Sequence, residues 1–232
     1  SVNGCDWASS PNGKSTGEYE TPSYYRSLNF CVDFLKKWDD EVEIERFEDL
    51  IYVEKIICKK LKLKNANEFG ANSLYAFESA ILKALAHDKK KELYETVGKS
   101  KKMPYPVGNV VGGGLHSSSI KEHPNFQEFL IIPKSKTFSE NLKVMSYIYS
   151  ELGKELKINK VNDEGALLVS IEDSKILDLI NKYRIKAENK FGFSVDIGID
   201  SALSTIFKNK FYNYNDKRID SNAQIKFIGE LI

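Results

Sequence analysis

The sequence predicts an α/β fold in two parts, a mainly helical first part and a second in which strands are interleaved with helices. Three observations predict it. Ahead of residue 99 the apolar residues recur every three or four positions, the helical period. Residues 193–200 alternate apolar with polar, the period of a strand, and come after two helical patterns. Between the parts, residues 99–106 run through lysines into Pro-Tyr-Pro and read as a linker, which divides the chain into 1–102 and 103–232. Strands interleaved with helices build an α/β layer or barrel.

Each element has its own signal. Residues 1–21 are polar and turn-rich. Leu28, Cys31, Leu35 and Trp38 mark one helical face, ended by the acidic segment 39–45. Phe47, Leu50, Ile57 and Leu61 mark a second helix, with Glu54 its one polar interruption; Leu74, Phe77, Ile81, Ala84 and Leu85 mark a third. Residues 107–111 are a short apolar run ending in Gly112-Gly113-Gly114. Residues 126–132 read as a strand that stops at Pro133. Thr137-x-x-Glu140 is a capping box for a helix carrying Leu142, Met145, Ile148, Leu152 and Leu156. Ser170-x-x-Asp173 caps another, with Ile176, Ile180, Tyr183 and Ala187 on one face. Phe193, Val195, Ile197 and Ile199 then alternate with Ser194, Asp196, Gly198 and Asp200.

The totals exclude several classes. Lys+Arg is 34 against Asp+Glu at 33, without the basic excess of a nucleic-acid or membrane-surface binder. Cys5, Cys31 and Cys58 are odd in number, lack metal-ligand spacing and fit reduced thiols of a cytoplasmic protein. No apolar run is long enough to span a bilayer and no signal-peptide pattern opens the chain, which starts at Ser1.

Gly13-Lys14-Ser15-Thr16 resembles the tail of a phosphate-cradling P-loop, but the glycine required five positions before Gly13 is Ala8. The spacing fails, and an exposed polar loop accounts for this stretch better. Four later stretches are better placed for chemistry. A glycine run before His116 lets backbone approach a ligand and lets a loop move; alone, it reads more simply as a turn with a solvent-facing histidine. His87 and His123 sit among surface-like charges. Alternation puts Phe126, Glu128 and Leu130 on one face of their strand. A carboxylate there is paired, metal-bound or held at a raised pKa, unless the strand is an edge with that face wet. Asp163-Glu164-Gly165 lies between two helices, where an acidic turn is the common meaning. Asp200 ends a well-patterned strand, where an aspartate suits Mg²⁺ or serves as the N-cap of the next element. Together these suggest a divalent metal, two glutamates for proton work and a histidine near a mobile loop, a set for acid–base chemistry on an anionic substrate.

The order of motifs is that of a known family. Residues 15–20 (Ser-Thr-Gly-Glu-Tyr-Glu), 69–72 (Phe-Gly-Ala-Asn), 106–116 (Pro-Val-Gly-Asn-Val-Val-Gly-Gly-Gly-Leu-His), 126–133 (Phe-Gln-Glu-Phe-Leu-Ile-Ile-Pro), 162–166 (Asn-Asp-Glu-Gly-Ala) and 196–202 (Asp-Ile-Gly-Ile-Asp-Ser-Ala) resemble, in register, the enolase (phosphopyruvate hydratase) family. The Gly-Gly-Gly-x-His form and the short early loop look more like the archaeal members. The resemblance implies an α+β amino-terminal capping domain, residues 1–102 without its first strands. It implies next, over 103–232, the ββααβ opening of a (β/α)₈-type barrel with its site at the carboxyl ends of the strands. It implies reversible dehydration of 2-phosphoglycerate to phosphoenolpyruvate, with two Mg²⁺ ions stabilising the intermediate. Glu164 would be the general acid and Glu128 its partner, binding substrate as well. His116 would close over the substrate near its phosphate, Asp200 would ligate the first Mg²⁺, and Ser15 the second.

A complete barrel takes about 250 residues, and 103–232 supplies 130. The family's other two carboxylate ligands, its general-base lysine and a basic pair that holds substrate belong to later strands. The expectation is therefore a truncated reading of a longer protein or one half of a split enzyme, completed by a carboxyl-terminal half and, as is usual in the family, assembled as a dimer or higher oligomer. Three alternatives are a non-catalytic enolase-like binding or scaffold protein, another acid-sugar dehydratase of the same superfamily, and a nucleotide-binding P-loop protein. The sequence departs from the family at Leu115, where a small residue is usual, at Gly112, where many members have Asn, and at Asn162, which replaces Gly.

Overall fold

The computed structural model describes residues 21–99 and 102–231, and it divides into two compact units, Ser1–Lys102 and Met103–Ile232. The Ser15 loop and its P-loop-like neighbour Lys14 lie outside the described residues.

The first unit is helical over its described residues. Helix α1 (Leu28–Lys36) starts at Ser27, whose hydroxyl accepts the Phe30 N–H at 3.2 Å. Helix α2 (Leu50–Leu61) ends at Lys62 in the left-handed conformation. Helices α3 (Ala71–Asp88) and α4 (Leu93–Val97) come next. Cys31, Val53, Ile57 and Phe69 are buried together, with Phe34, Trp38 and Phe77 packed around them edge to face. The Phe69-Gly70-Ala71-Asn72 motif is structural. Gly70 turns at φ +103°, and a Cβ there would fall 2.5 Å from Tyr24 Cα. Asn72 Nδ2 donates to the Tyr24 hydroxyl at 3.0 Å.

Glu78 of α3 stands half-buried against Glu54 of α2, the polar interruption of that helix. Burial, then the charge and hydrogen bond of Glu54, push the Glu78 carboxyl from its ordinary 4.5 up to about 7. A raised folded pKa stabilises the unit fully below about 4.5; that stability erodes as pH rises and is gone once pH passes 7. Melting followed at Trp38 fluorescence is therefore expected at a higher temperature at pH 5 than at pH 8, and Glu78→Gln should flatten the difference. An equally steep pH dependence in that variant would remove Glu78 as its source.

The second unit carries a four-stranded sheet. Its strands are β1 (Gly108–Gly112), β2 (Glu128–Pro133), β3 (Leu167–Leu168) and β4 (Val195–Asp200), in spatial order β3-β1-β2-β4. β1 and β3 are parallel, whereas β2 runs antiparallel to both β1 and β4. Helices α5 (Phe138–Leu156) and α6 (Asp173–Phe191) pack on one face of the sheet. Val144, Ile148 and Leu152 from α5 and Ile176 and Ile180 from α6 are sealed against Phe129 and Ile131. Each such side chain contributes about 1.5–3 kcal/mol on burial. A small sheet of β5 (Phe207–Lys208), β6 (Phe211–Asn213) and β7 (Arg218–Ile219) then leads into helix α7 (Ser221–Leu231). No described helix is long and apolar enough to cross a membrane.

Three local expectations need correction. The second strand begins at Glu128, and Phe126 ahead of it packs with Phe129, Tyr214 and Phe227 instead of sharing the face of Glu128. Thr137 caps α5, but Glu140 accepts from the hydroxyls of Ser135 and Thr137, so the reciprocal half of the box is absent. Ser170 is not a cap: its hydroxyl donates to the Glu122 carbonyl, and α6 starts after Glu172. Asp173 is instead buried, accepting from Asn125 N (2.9 Å), Asn125 Nδ2 (2.8 Å) and Phe126 N (3.2 Å).

Candidate active site

The site is assembled by strand register. Gly112 pairs with Glu128, and Glu128 with Asp200. Because β2 is antiparallel, its first residue meets the last residues of β1 and β4. Directly opposed residues share a face. Phe129 and Ile131 point to the helices, so Glu128, Asp200 and the open position at Gly112 lie on the opposite face of the sheet.

Two loops bring the remaining groups. After β1 the glycine run makes a short 3₁₀ turn, Gly114–Ser117, that carries His116. Its N–H groups are tied down: Gly113 N donates to Gln127 O at 2.9 Å and Gly114 N to Pro124 O at 2.8 Å. The His116 side chain is only 10 % exposed, against the simpler reading of a solvent-facing histidine. Its Nδ1 lies 3.1 Å from Asp163 Oδ1 and its Nε2 3.5 Å from Glu164 Oε1. An ionised Asp163 only accepts, so Nδ1 then carries the proton of that contact, and Nε2 faces Glu164. The turn bearing Glu164 is fixed three ways. Gly165 adopts φ +80°, Tyr149 Oη donates to Gly165 O at 2.8 Å, and Asn162 Oδ1 accepts the Glu164 and Ala166 N–H groups at 3.0 Å. Asn109 Nδ2 donates to Glu164 Oε2 at 3.2 Å.

The structure thus brings together His116, Glu128 and Glu164, with ligand atoms all within 4.8 Å of one another, and sets Asp200 across the strand pair from Glu128. The Glu128 carboxyl is held above the ordinary range, first by burial, then by the negative charges of Glu164 and Asp200, with His116 opposing. A neighbouring carboxylate pair that shares a proton can keep an acid protonated near neutrality.

A divalent cation fits this chemistry in part. Mg²⁺ takes oxygen ligands and keeps several waters. Asp200 meets that requirement: it is exposed at the strand end, and Ala202 N donates to its Oδ1 at 3.0 Å. The His116–Glu128–Glu164 group contains an imidazole and is the less suited to Mg²⁺. Ser15, expected to hold a second ion, lies outside the described residues.

Sequence reasoning assigns no role to Asn109, Asp163 or Asn162. All three sit inside the family motifs, but only the register of β1 and the path of the turn show what they touch. Gly113 also has a role that spacing does not reveal. A Cβ there would fall 2.2 Å from Phe126 O and 2.8 Å from Pro124 Cβ. Gly113→Ala is expected to push these segments apart and lower stability by about 1–3 kcal/mol. Thermal unfolding reads this directly, and an unchanged melting temperature would contradict the close approach.

Fold and site together define a class, an α/β protein with a cluster of carboxylates and a histidine at one end of a mixed four-stranded sheet. The family described as enolase, C-terminal TIM barrel domain, matches residues 100–231. The enolase of Archaeoglobus fulgidus is 28 % identical over 239 residues, covering 97 % of this chain and 57 % of the relative. The enolase of Natronomonas pharaonis is 27 % identical, covering 96 % and 57 %. That of Anaplasma phagocytophilum is 31 % identical over 180 residues, covering 72 % and 40 %. The chain belongs to the enolase family, and it spans little more than half the length of the first two of these curated relatives.

Proposed function

We propose that the chain is the central part of an enolase-type lyase that interconverts 2-phosphoglycerate and phosphoenolpyruvate in the cytoplasm, in glycolysis and gluconeogenesis. The observation that carries this reading is the convergence of His116, Glu128 and Glu164, with Asp200 registered beside them. In dehydration the C2 proton leaves first and hydroxide leaves C3 second. Hydroxide is a poor leaving group and needs a proton. Glu164 supplies it. Glu128, its own carboxyl held above the ordinary range by burial and by the charge of Glu164, stands beside it in the same cluster. His116 binds at the substrate's phosphate end. Mg²⁺, when bound at Asp200 and at Ser15, would stabilise the charge that develops on the substrate carboxylate.

Residues 1–102 then correspond to the capping domain and 103–232 to the opening of the barrel. β4 pairs only with β2 among the described residues, so its other edge is free. On the helix side of β4, Leu177, Ile197, Ile199, Ile228 and Leu231, together with Asp178, Asn181 and Ser201, line a groove between α6 and α7. A following strand and helix would close both, whether from the same polypeptide or from a complementary half. The completed enzyme is expected to form a dimer or higher oligomer.

The general base belongs to those later strands, so the test supplies them. The chain together with a polypeptide carrying the rest of the barrel should form phosphoenolpyruvate from 2-phosphoglycerate, followed at its ultraviolet absorbance, and should stop when Mg²⁺ is chelated. A completed, folded barrel that is silent in this assay overturns the catalytic reading and favours a non-catalytic enolase-like binding protein.

A further inference from the structure

The glycine run that carries His116 rests on residues 124–127. Gly113 N donates to Gln127 O at 2.9 Å and Gly114 N to Pro124 O at 2.8 Å. No side chain separates the two segments, since a Cβ on Gly113 would fall 2.2 Å from Phe126 O. A shift of residues 124–127 is therefore passed through backbone contacts to His116. Asp163 and Glu164 meet the His116 ring, not the base of its loop. Residues 124–126 lie ahead of β2, where no strand ladder fixes them, so other groups must.

Those groups meet at Asn125. Its N and Nδ2 both donate to Asp173, to Oδ1 at 2.9 Å and to Oδ2 at 2.8 Å. Its Oδ1 accepts Asn215 N at 2.8 Å. A backbone N–H only donates, which turns Oδ1 to Asn215 and Nδ2 to the Asp173 carboxylate. Asn215 lies between β6 and β7 and adds a second tie, Nδ2 to His123 O at 2.9 Å. Helix α6, the small sheet and the segment that supports the His116 loop are thus joined at one side-chain amide. Burial pushes the Asp173 carboxyl up, and its bonds from Asn125 and Phe126 offset the rise. An apolar side chain at 173 would avoid that cost but would leave both N–H groups without their acceptor.

We propose that Asn125 and Asp173 are positioning residues for His116, with Asn215 bracing them from the small sheet. Their hydrogen bonds fix residues 124–127, and the carbonyls of Pro124 and Gln127 fix Gly113 and Gly114. His116 is thereby held where its ring meets Asp163 and Glu164. The value of this placement rests on the reading of His116 as a substrate-binding residue, but the placement itself is tested without substrate.

The test exchanges the two side chains in the full chain. Asn125→Asp sets two carboxylates face to face, and Asp173→Asn sets two amides face to face. The double variant Asn125→Asp/Asp173→Asn restores the pair with donor and acceptor reversed, and Oδ1 at each position still accepts its backbone N–H groups. NMR shifts of the folded chain are the readout, because lost stability alone leaves them unmoved. Each single variant should move the Gly113 and Gly114 amide protons upfield, as their hydrogen bonds lengthen, and displace the His116 imidazole resonances. The double variant should return all of them to the parent positions. Single variants with parent-like resonances at these three residues overturn the inference, and so does a double variant displaced as far as its singles. Should the singles fail to fold, Asn125→Ala is the milder variant: it keeps the backbone bond to Asp173, and the same resonances must move in it. In a completed barrel each single should also raise KM for 2-phosphoglycerate by about ten-fold with little change in kcat, and the double should reverse this. Displaced resonances with an unchanged KM would uphold the positioning and count against His116 as a substrate-binding residue.

Discussion

With the later barrel strands supplied, Glu164→Gln is expected to lower the rate of phosphoenolpyruvate formation by about 10²–10⁴-fold, the usual worth of a positioned general acid. The substitution is close to isosteric. Its Oε1 still accepts from Asn109 Nδ2, and the Asn162 contacts that hold the turn are to the backbone. What it removes is the proton. Stability should therefore change little while turnover collapses, and a thermal melt beside the absorbance assay distinguishes chemistry from damage. A second consequence has a definite sign. Part of the elevation of the Glu128 carboxyl comes from the negative charge of Glu164, and glutamine carries none. The Glu128 titration, followed through its carboxyl carbon, should move down toward the ordinary glutamate range. It should not reach that range, because burial is the larger cause and remains. Unchanged turnover in this variant would remove the acid assignment.

The largest loss of stability is expected from Asp173→Ala, about 3 kcal/mol, because a buried carboxylate that gathers three donors is removed and its partners stay behind. Asp173 stands in the first turn of α6, where a negative charge is favoured, and reaches back to the segment ahead of β2. Without it the Phe126 N–H is left buried and unpaired. The Phe126 ring, fully buried among Phe129, Tyr214 and Phe227, loses the anchor that sets its entry into the core. Asp173→Asn should cost about half as much, since Oδ1 still accepts the two backbone N–H groups while its amide now opposes Asn125 Nδ2. Urea unfolding followed by far-ultraviolet circular dichroism measures both. A loss below about 1 kcal/mol for the alanine variant would show that other contacts hold this loop.

The helices are readable because their signal is local. Ile176, Ile180, Tyr183 and Ala187 are spaced to share one face, and they are among the residues that α6 buries. Val195 to Asp200 alternates and is a strand. The short elements are not readable. β3 is two residues long, too few for any period, and β5 to β7 are two or three residues each, so residues 201–232 carry no clear pattern. Alternation puts Phe126 on the wrong face because it extends past the true start of β2 at Glu128. Ser170 looks like a cap because Ser-x-x-Asp is a local signature, yet the Glu122 carbonyl, 48 residues away in the chain, competes for its hydroxyl.

By itself the sequence determined the order of the long helices and main strands up to residue 200, which face of each long helix is apolar, and the succession of motifs that marks the enolase family. Those properties depend on residues a few positions apart. Only the tertiary structure decided that Glu128 stands beside Gly112 and Asp200, that His116 is enclosed by Asp163 and Glu164, and that Asn162 fills the place left at Gly112. These depend on the antiparallel register of β2 and on two loops crossing the end of the sheet. Side-chain period says which way a residue faces, and register and packing say what it meets there.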